Sequence, residues 1–191
     1  MKTNKCSAVV VSVVSAMCLF TASHANAGFY IGAGMGQGAL KTEAVEDVLD
    51  LSIQREERGW SGVVGYRFDR LLGQGFLDVE GAYIDFGRYV VTGRVRKETG
   101  SFVFEQDVKL TQRAETAAGG LNVGWSWGGG AVFLSGGGFV ADGAVRPYYG
   151  IGVRKQVNDS PLSVVVRFRR FDIGEQIRHI DWLSAGIEWH F

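Results

Sequence analysis

The most constraining feature of this chain is its final segment, residues 181–191, in which side chains alternate strictly between two faces. One face is mostly small or polar. The other is apolar and ends on a C-terminal aromatic: Leu183, Ala185, Ile187, Trp189 and Phe191. A two-residue period is that of a β-strand, whereas soluble domains tend to end on mobile residues. The segment therefore predicts a strand that closes a membrane barrel.

The N-terminus has the three parts of a secretory signal peptide. Lys2 and Lys5 supply the positive charge, residues 8–20 form an apolar core, and Ala25-Asn26-Ala27 matches an A-x-A cleavage site. The apolar core is too short for a membrane-spanning helix. We expect residues 1–27 to be a cleaved signal peptide and residues 28–191 to form one barrel domain.

Cleavage would also change the chemistry of the chain. It removes both cysteines, Cys6 and Cys18, and with them any disulfide, thiol nucleophile or thiolate metal site. It leaves eighteen basic residues against twenty acidic ones, because two of the twenty basic residues are in the leader. A nucleic-acid-binding domain normally has a basic surplus. The composition therefore argues against a nucleic-acid partner.

The glycines indicate a narrow barrel. All 28 follow the cleavage site, and they lie among Val, Leu, Phe, Tyr and Trp in alternating runs. Disordered glycine-rich chains are polar instead. Inside a strand, glycine suits sharp curvature and a lumen too narrow for side chains.

Alternation recurs in eight segments of about ten residues, as is typical of outer-membrane barrels. Apolar side chains such as Val64, Val123 and Ile151 are expected to face lipid, and the intervening residues to face the lumen. The fifth segment is too rich in glycine for its faces to be assigned. The segments are 29–38, 60–68, one starting at 76, one ending at 127, 131–141, 148–157, 162–171 and 181–191.

Short turns at 69–74, 128–130 and 158–161 alternate with longer connections, as expected if one end of the barrel faces the periplasm. Residues 39–59 are expected to form a charged loop, partly helical between Val45 and Leu51. Residues 88–96 and 102–110 both alternate, which predicts a protruding hairpin within 87–111.

Aromatic residues concentrate at the predicted strand ends, which predicts two girdles at the membrane interfaces. One rim comprises Phe29, Tyr66, Phe68, Phe76, Trp125, Trp127, Trp189 and Phe191, and the other Trp60, Phe86, Tyr148, Tyr149 and Trp182.

Four stretches resemble the small outer-membrane β-barrel family related to the OmpA transmembrane domain and to OmpX-like proteins. They are GFYIGAG at 28–34, VGYRF at 64–68, VEGAYIDFG at 79–87 and LSAGIEWHF at 183–191. The resemblance implies an all-β, eight-stranded antiparallel up-and-down transmembrane β-barrel in the outer membrane of a Gram-negative cell envelope. It also implies that Ile187, Trp189 and Phe191 form a C-terminal signature for the barrel-assembly machinery. The family includes structural anchors and adhesins, so it implies no single function.

The lumen of an eight-stranded barrel is just wide enough for side chains to fill. Charges there need partners, because an unpaired buried ion is strongly destabilising. We expect an ion-pair network, with Glu80 contacting an arginine, and little or no conductance; a selective pore gate is the alternative. The seven inward charges are Arg67, Asp78, Glu80, Arg154, Arg167, Arg169 and Glu188.

Enzymatic and metal chemistry are not expected. The mature chain has only His179 and His190, and neither lies in an ordered triad pattern. The carboxylates of Glu43, Glu46, Asp47 and Asp50 could hold a divalent ion but lack the spacing of a known calcium loop, so a solvated charged loop is expected. We expect no cofactor. A lipid A-modifying enzyme and a soluble lipocalin-like carrier are weaker alternatives.

Recognition is expected at the outer connections, because the barrel wall contacts lipid. Connections 39–59 and 87–111 could contact a host or another extracellular ligand, and four basic residues could contact lipopolysaccharide phosphates. The expected function is a structural or adhesin-like surface role, with a small transport channel as the alternative. The four basic residues are Arg88, Arg94, Arg96 and Lys97.

Overall fold

The computed structural model describes residues 27–42, 48–55, 58–71, 73–99, 102–174 and 177–191. Apart from Ala27, the predicted signal peptide lies outside these residues. No helix within these ranges has the length and apolar character needed to cross a membrane. The strands are β1 (Ala27–Thr42), β2 (Val48–Arg55), β3 (Gly59–Leu71), β4 (Gly75–Thr99), β5 (Phe102–Trp127), β6 (Gly130–Ala141), β7 (Ala144–Gln156), β8 (Leu162–Asp172) and β9 (Ile177–His190).

Eight of these strands form a closed barrel in which every neighbouring pair is antiparallel. The order around the barrel is β1-β3-β4-β5-β6-β7-β8-β9, and pairing of β9 with β1 closes it. Each strand pairs with its neighbours along the chain, apart from β2, so the connections are all up-and-down. The predicted fold class is confirmed.

The ninth strand, β2, is the main departure from the predicted architecture. Residues 39–59 were expected to form a charged, partly helical loop, but β1 continues to Thr42 and Val48–Arg55 is a strand. It pairs antiparallel with the outer part of β4, with Val48 opposite Val95 and Arg55 opposite Tyr89. The edge of β4 offers backbone N–H and C=O groups that a strand can pair with, whereas a helix could not pair with them.

Strands β4 and β5 continue well past their barrel neighbours β3 and β6 and form the predicted hairpin. Beyond Asp85, where the pairing with β3 reaches Trp60, the β4–β5 ladder runs on to Thr99 opposite Phe102. A register shift between Asp85 and Gly87 marks the transition. We call β2 and the parts of β4 and β5 beyond this shift the outer sheet.

The connections from β5 to β6 and from β6 to β7 are tight two-residue turns with left-handed backbone. Asp142 and Gly143 have φ of 49° and 77°, and Gly128 and Gly129 have φ of 47° and 75°. Positive φ at both central residues is the type I′ geometry that matches strand twist, which explains Asp-Gly and Gly-Gly at these positions.

The alternation of faces agrees with the prediction. On β8, Val164, Val166 and Phe168 are 37–45% exposed, whereas Arg167 and Arg169 between them are buried. The fifth predicted segment, now β6, turns Phe133 inward and leaves Leu134 65% exposed. These outward residues are therefore apolar, and the arginines between them face the lumen.

Candidate functional site

The deepest polar feature of the barrel is a group of seven charged side chains, which we call the lumen ion network. Asp78, on β4, is fully buried and accepts from two arginines on opposite sides of the barrel. Nε of Arg67 lies 2.9 Å from its Oδ1, and Nη2 of Arg154 lies 3.1 Å from its Oδ2. The network comprises Arg67, Asp78, Glu80, Arg154, Arg167, Arg169 and Glu188.

Two glutamates join the remaining arginines. Glu80 pairs with Arg167, at 3.2 Å between Oε2 and Nη2, and with Arg169. Glu188 pairs with Arg167 and with Arg154, whose Nε is 2.6 Å from its Oε2. The structure thus brings all seven predicted lumen charges into one connected cluster spanning β3, β4, β7, β8 and β9.

Two uncharged polar residues also belong to the cluster. The Tyr30 hydroxyl donates to Glu80 Oε2 at 3.1 Å, and Asn122 Nδ2 donates to the same oxygen at 3.3 Å. Both lie on lumen-facing positions of their strands, so alternation placed them inward. Their contact with Glu80 depends on barrel curvature and stagger, which a sequence does not specify.

Aromatic rings pack against the guanidinium groups. The Arg67 guanidinium carbon lies 3.9 Å from the Phe76 ring centroid, and that of Arg154 lies 5.3 Å from the Phe133 centroid. Rings at these distances attract cations through their negative faces. Together with the ion pairs, they compensate part of the desolvation of the buried arginines.

The part of the lumen nearer the outer sheet is apolar. We call this buried cluster the aromatic plug. Most of its ring pairs meet edge to face, as Phe86 does with Trp182 at a centroid distance of 5.3 Å, and Tyr148 stacks on Phe171. A plug of this kind fills the outer half of the lumen with large side chains. Its members are Ile84, Phe86, Tyr89, Phe139, Tyr148, Phe171, Ile180 and Trp182.

The plug corrects part of the predicted girdles. Phe76, Phe86, Tyr148 and Trp182 were expected at the membrane interfaces, but all four point into the lumen and are 1–3% exposed. Because successive side chains of a strand point to opposite faces, these four positions face the lumen even though they lie near strand ends. The outward aromatics remain on the wall, among them Trp60, Trp125, Trp127, Tyr149 and Trp189 at 47–57% exposure.

The basic residues predicted to contact lipopolysaccharide lie on β4. Arg88 is exposed, and it opposes Arg113 on β5 just beyond the register shift. Arg94, Arg96 and Lys97 belong to the outer sheet, although their side chains fall outside the described part of the structure. Arg113 itself pairs with Asp85, with Nε 2.9 Å from Oδ2.

The two histidines lie far apart along the barrel. His190 packs on the Tyr30 ring at 5.3 Å, and Nε2 of His179 lies 3.7 Å from Asp181, which Arg170 already binds. Ser184, the nearest serine to His179 along β9, is buried on the opposite, lumen-facing side of this strand.

The described residues contain no group of three or more histidine, cysteine, aspartate or glutamate side chains placed to hold a metal ion. The candidate carboxylates Glu43, Glu46 and Asp47 lie outside the described residues, as does the side chain of Asp50.

No family model and no curated protein matches the chain. Similar solved structures include Ail, the attachment invasion locus protein of Yersinia pestis, at 13% identity and a TM-score of 0.49, covering 87% of this chain and 99% of that one. The translocator domain of the autotransporter NalP from Neisseria meningitidis is 12% identical with a TM-score of 0.38, and 97% of each chain is covered. An outer membrane channel from Pseudomonas putida F1 is 8% identical with a TM-score of 0.35, covering 89% and 97%.

The strand pairings of this chain define its architecture. Eight consecutive antiparallel neighbours are closed by β1 and β9, with apolar residues outside and the lumen ion network inside. The chain therefore has the closed, eight-stranded up-and-down barrel of the small OmpA- and OmpX-like proteins that its sequence resembles.

Proposed function

We propose that this protein is an integral outer-membrane barrel that carries the outer sheet at the cell surface as an interaction element. The membrane location is supported by the inverted distribution of polarity. Met35, Val123, Leu134 and Leu183 are 55–65% exposed on the wall, whereas Asp78 is fully buried. A soluble carrier with this wall would expose a continuous apolar belt to water.

The observation that carries the surface role is the outer sheet and its edges. Beyond Ala118, the last β5 residue paired with β6, β5 has β4 as its one strand partner in the described residues. Strand β2 likewise pairs with β4 alone among them. Unpaired strand edges present rows of N–H and C=O groups that can add a strand from a partner. The proposed partner is an extracellular or host protein with an extended segment.

The proposed contacts with lipid and with the assembly machinery follow from the proposed position of the barrel in the outer membrane. Ile187, Trp189 and Phe191 are 47–71% exposed on one face at the end of the chain, where an assembly factor could read them. Arg88 lies at the rim from which the outer sheet extends, at the level proposed for lipopolysaccharide phosphates.

A small transport channel is disfavoured by the filling of the lumen. Ions would have to pass the aromatic plug, whose Ile84 and Phe171 are fully buried, and then displace paired charges. We therefore propose a closed barrel. Planar-bilayer recordings of the purified protein should show little or no conductance, and large steady channels would contradict the proposal.

Membrane location is tested by fractionation combined with heat-modifiable gel mobility. We expect the protein in the outer-membrane fraction, migrating faster before boiling than after it. Recovery of the processed protein from the soluble periplasmic fraction would overturn the proposal.

The surface role is tested by shortening the hairpin in register. Replacing residues 90–111 with an Asn-Gly turn joins Tyr89 to its opposite residue Gln112. Bacteria with this variant should retain heat-modifiable mobility but bind cultured epithelial cells less than bacteria with the full-length hairpin. Undiminished binding at equal surface level would contradict the surface role and leave the barrel assignment intact.

A further inference from the structure

The lumen opens into a cavity of about 490 Å³ at the end of the barrel that holds the C-terminus and the short turns. Its lining mixes polar and apolar residues and comes from six strands, β3, β5, β6, β7, β8 and β9. The lining residues used below are Arg67, Asp69, Arg154, Gln156 and Ser163. Two of them, Arg67 and Arg154, also belong to the lumen ion network.

Arg154 is not fully paired. Its Nη2 donates to Asp78 at 3.1 Å, and its Nε lies 2.6 Å from Glu188 without an aligned hydrogen bond. Its Nη1 is buried and has no hydrogen-bond partner in the described part of the chain. Arg154 as a whole is only 5% exposed. A buried donor without an acceptor is unusual and destabilising.

The lumen ion network also carries an excess of positive charge. It contains four guanidinium groups, of Arg67, Arg154, Arg167 and Arg169, against the three carboxylates of Asp78, Glu80 and Glu188. The fourth carboxylate nearby, that of Asp69, lies 3.8 Å from Arg67 and has a side chain 45% exposed. Because solvent screens Asp69, it offsets the excess only weakly.

We propose that this cavity binds a small monovalent carboxylate anion, held by the guanidinium groups of Arg67 and Arg154. The planar guanidinium fork matches the two oxygens of a carboxylate. A single negative charge balances the excess, whereas a phosphate dianion would exceed it. Ser163 and Gln156 add hydroxyl and amide groups to the same wall. Binding here is independent of the surface role proposed for the outer sheet.

The test uses the full mature protein in detergent micelles, with acetate as the probe. The Nε–Hε resonances of the arginines are followed by NMR while acetate replaces chloride at constant ionic strength. We expect saturable shifts for Arg67 and Arg154 and none for Arg169, which pairs with Glu80 and does not line the cavity. Equal shifts at all three arginines, or shifts that never saturate, would overturn the proposal without any variant.

Variants and a second anion sharpen the test. Arg67→Gln should weaken acetate binding about tenfold or more. Lys155→Gln removes the same charge from an exposed residue outside the cavity lining and should leave the affinity unchanged. Equal weakening by both substitutions would show general electrostatic attraction and overturn the site. Tighter binding of inorganic phosphate than of acetate would overturn the proposed monovalent carboxylate.

Discussion

The phenyl ring of Phe133 on β6 lies over Gly152, its register partner on β7. A Cβ atom at position 152 would overlap three atoms of that ring. On the other side of Phe133, a Cβ at its partner Gly124 would lie 2.7 Å from the Phe133 Cβ. Large lumen side chains thus occupy the space that glycines leave on neighbouring strands, which explains how so narrow a barrel accommodates them.

Replacing Gly152 with valine should destabilise the barrel, because the new side chain and the Phe133 ring cannot share one space. We expect a loss of about 1–3 kcal/mol in the free energy of unfolding, as for other overpacked cores. Urea unfolding in lipid vesicles, followed by tryptophan fluorescence, measures it. Gly136→Val is the matched control, since Gly136 is exposed and a Cβ there has no neighbour closer than 4.0 Å. Equal losses would contradict the steric explanation.

Replacing Glu80 with alanine should be more damaging, because it leaves Arg167 and Arg169 with fewer partners in a buried site. Breaking a buried ion pair in this way typically costs about 3–5 kcal/mol. The temperature at which the heat-modifiable gel shift occurs should fall accordingly. Glu115→Ala removes an exposed acceptor of the Tyr83 hydroxyl and should cost about 1 kcal/mol or less. A smaller effect at Glu80 than at Glu115 would refute the structural role of the network.

Removing two rings of the aromatic plug should open the outer half of the lumen. The double variant Phe171→Ala and Trp182→Ala removes two of its largest side chains, which are at most 1% exposed. We expect conductance in planar bilayers above that of the unmodified protein. The control is Phe168→Ala with Leu183→Ala, register partners on the lipid-facing side of the same strands. Raised conductance in the control as well would indicate general loosening of the barrel.

Replacing Arg88, Arg94, Arg96 and Lys97 together with glutamine should weaken binding to lipopolysaccharide. Charge-assisted hydrogen bonds to phosphate depend on these cations, so the loss should be largest at low ionic strength. Binding of purified protein to immobilised lipopolysaccharide measures it. Lys155→Gln at the opposite rim should have no effect. Unchanged binding by the fourfold variant would eliminate this contact.

The side of the strand on which each residue lies could be predicted from the sequence, because every barrel residue faces either lipid or the lumen. Arg154, Arg167 and Arg169 were placed inward on that basis, and they are buried. Beyond the expected contact of Glu80 with an arginine, the carboxylate that each arginine binds could not be read from the sequence, since it depends on strand stagger. Trp182 was placed at an interface because it lies near a strand end, although its inward-facing strand position puts it in the lumen.

Strand β2 shows a different limit of the sequence. Leu49, Leu51 and Ile53 alternate with polar residues, which is a strand pattern. The spacing of Val45, Val48 and Leu49 suggested a helix instead. What decides between them is the open edge of β4, a partner more than thirty residues away in sequence, as the pairing of Ile53 with Val91 shows.

Strand β4 continues without a break from the barrel wall into the outer sheet, and its length sets the distance between the tip of the hairpin and the barrel wall. At about 3.4 Å per residue, the stretch from Gly87 to Thr99 reaches roughly 40 Å along the strand. Because hydrogen bonds to β5 accompany it throughout, a receptor captured near the tip would be held at a fixed standoff from the bilayer. Deleting two residues from each strand would bring that receptor about 7 Å closer without turning its contact face.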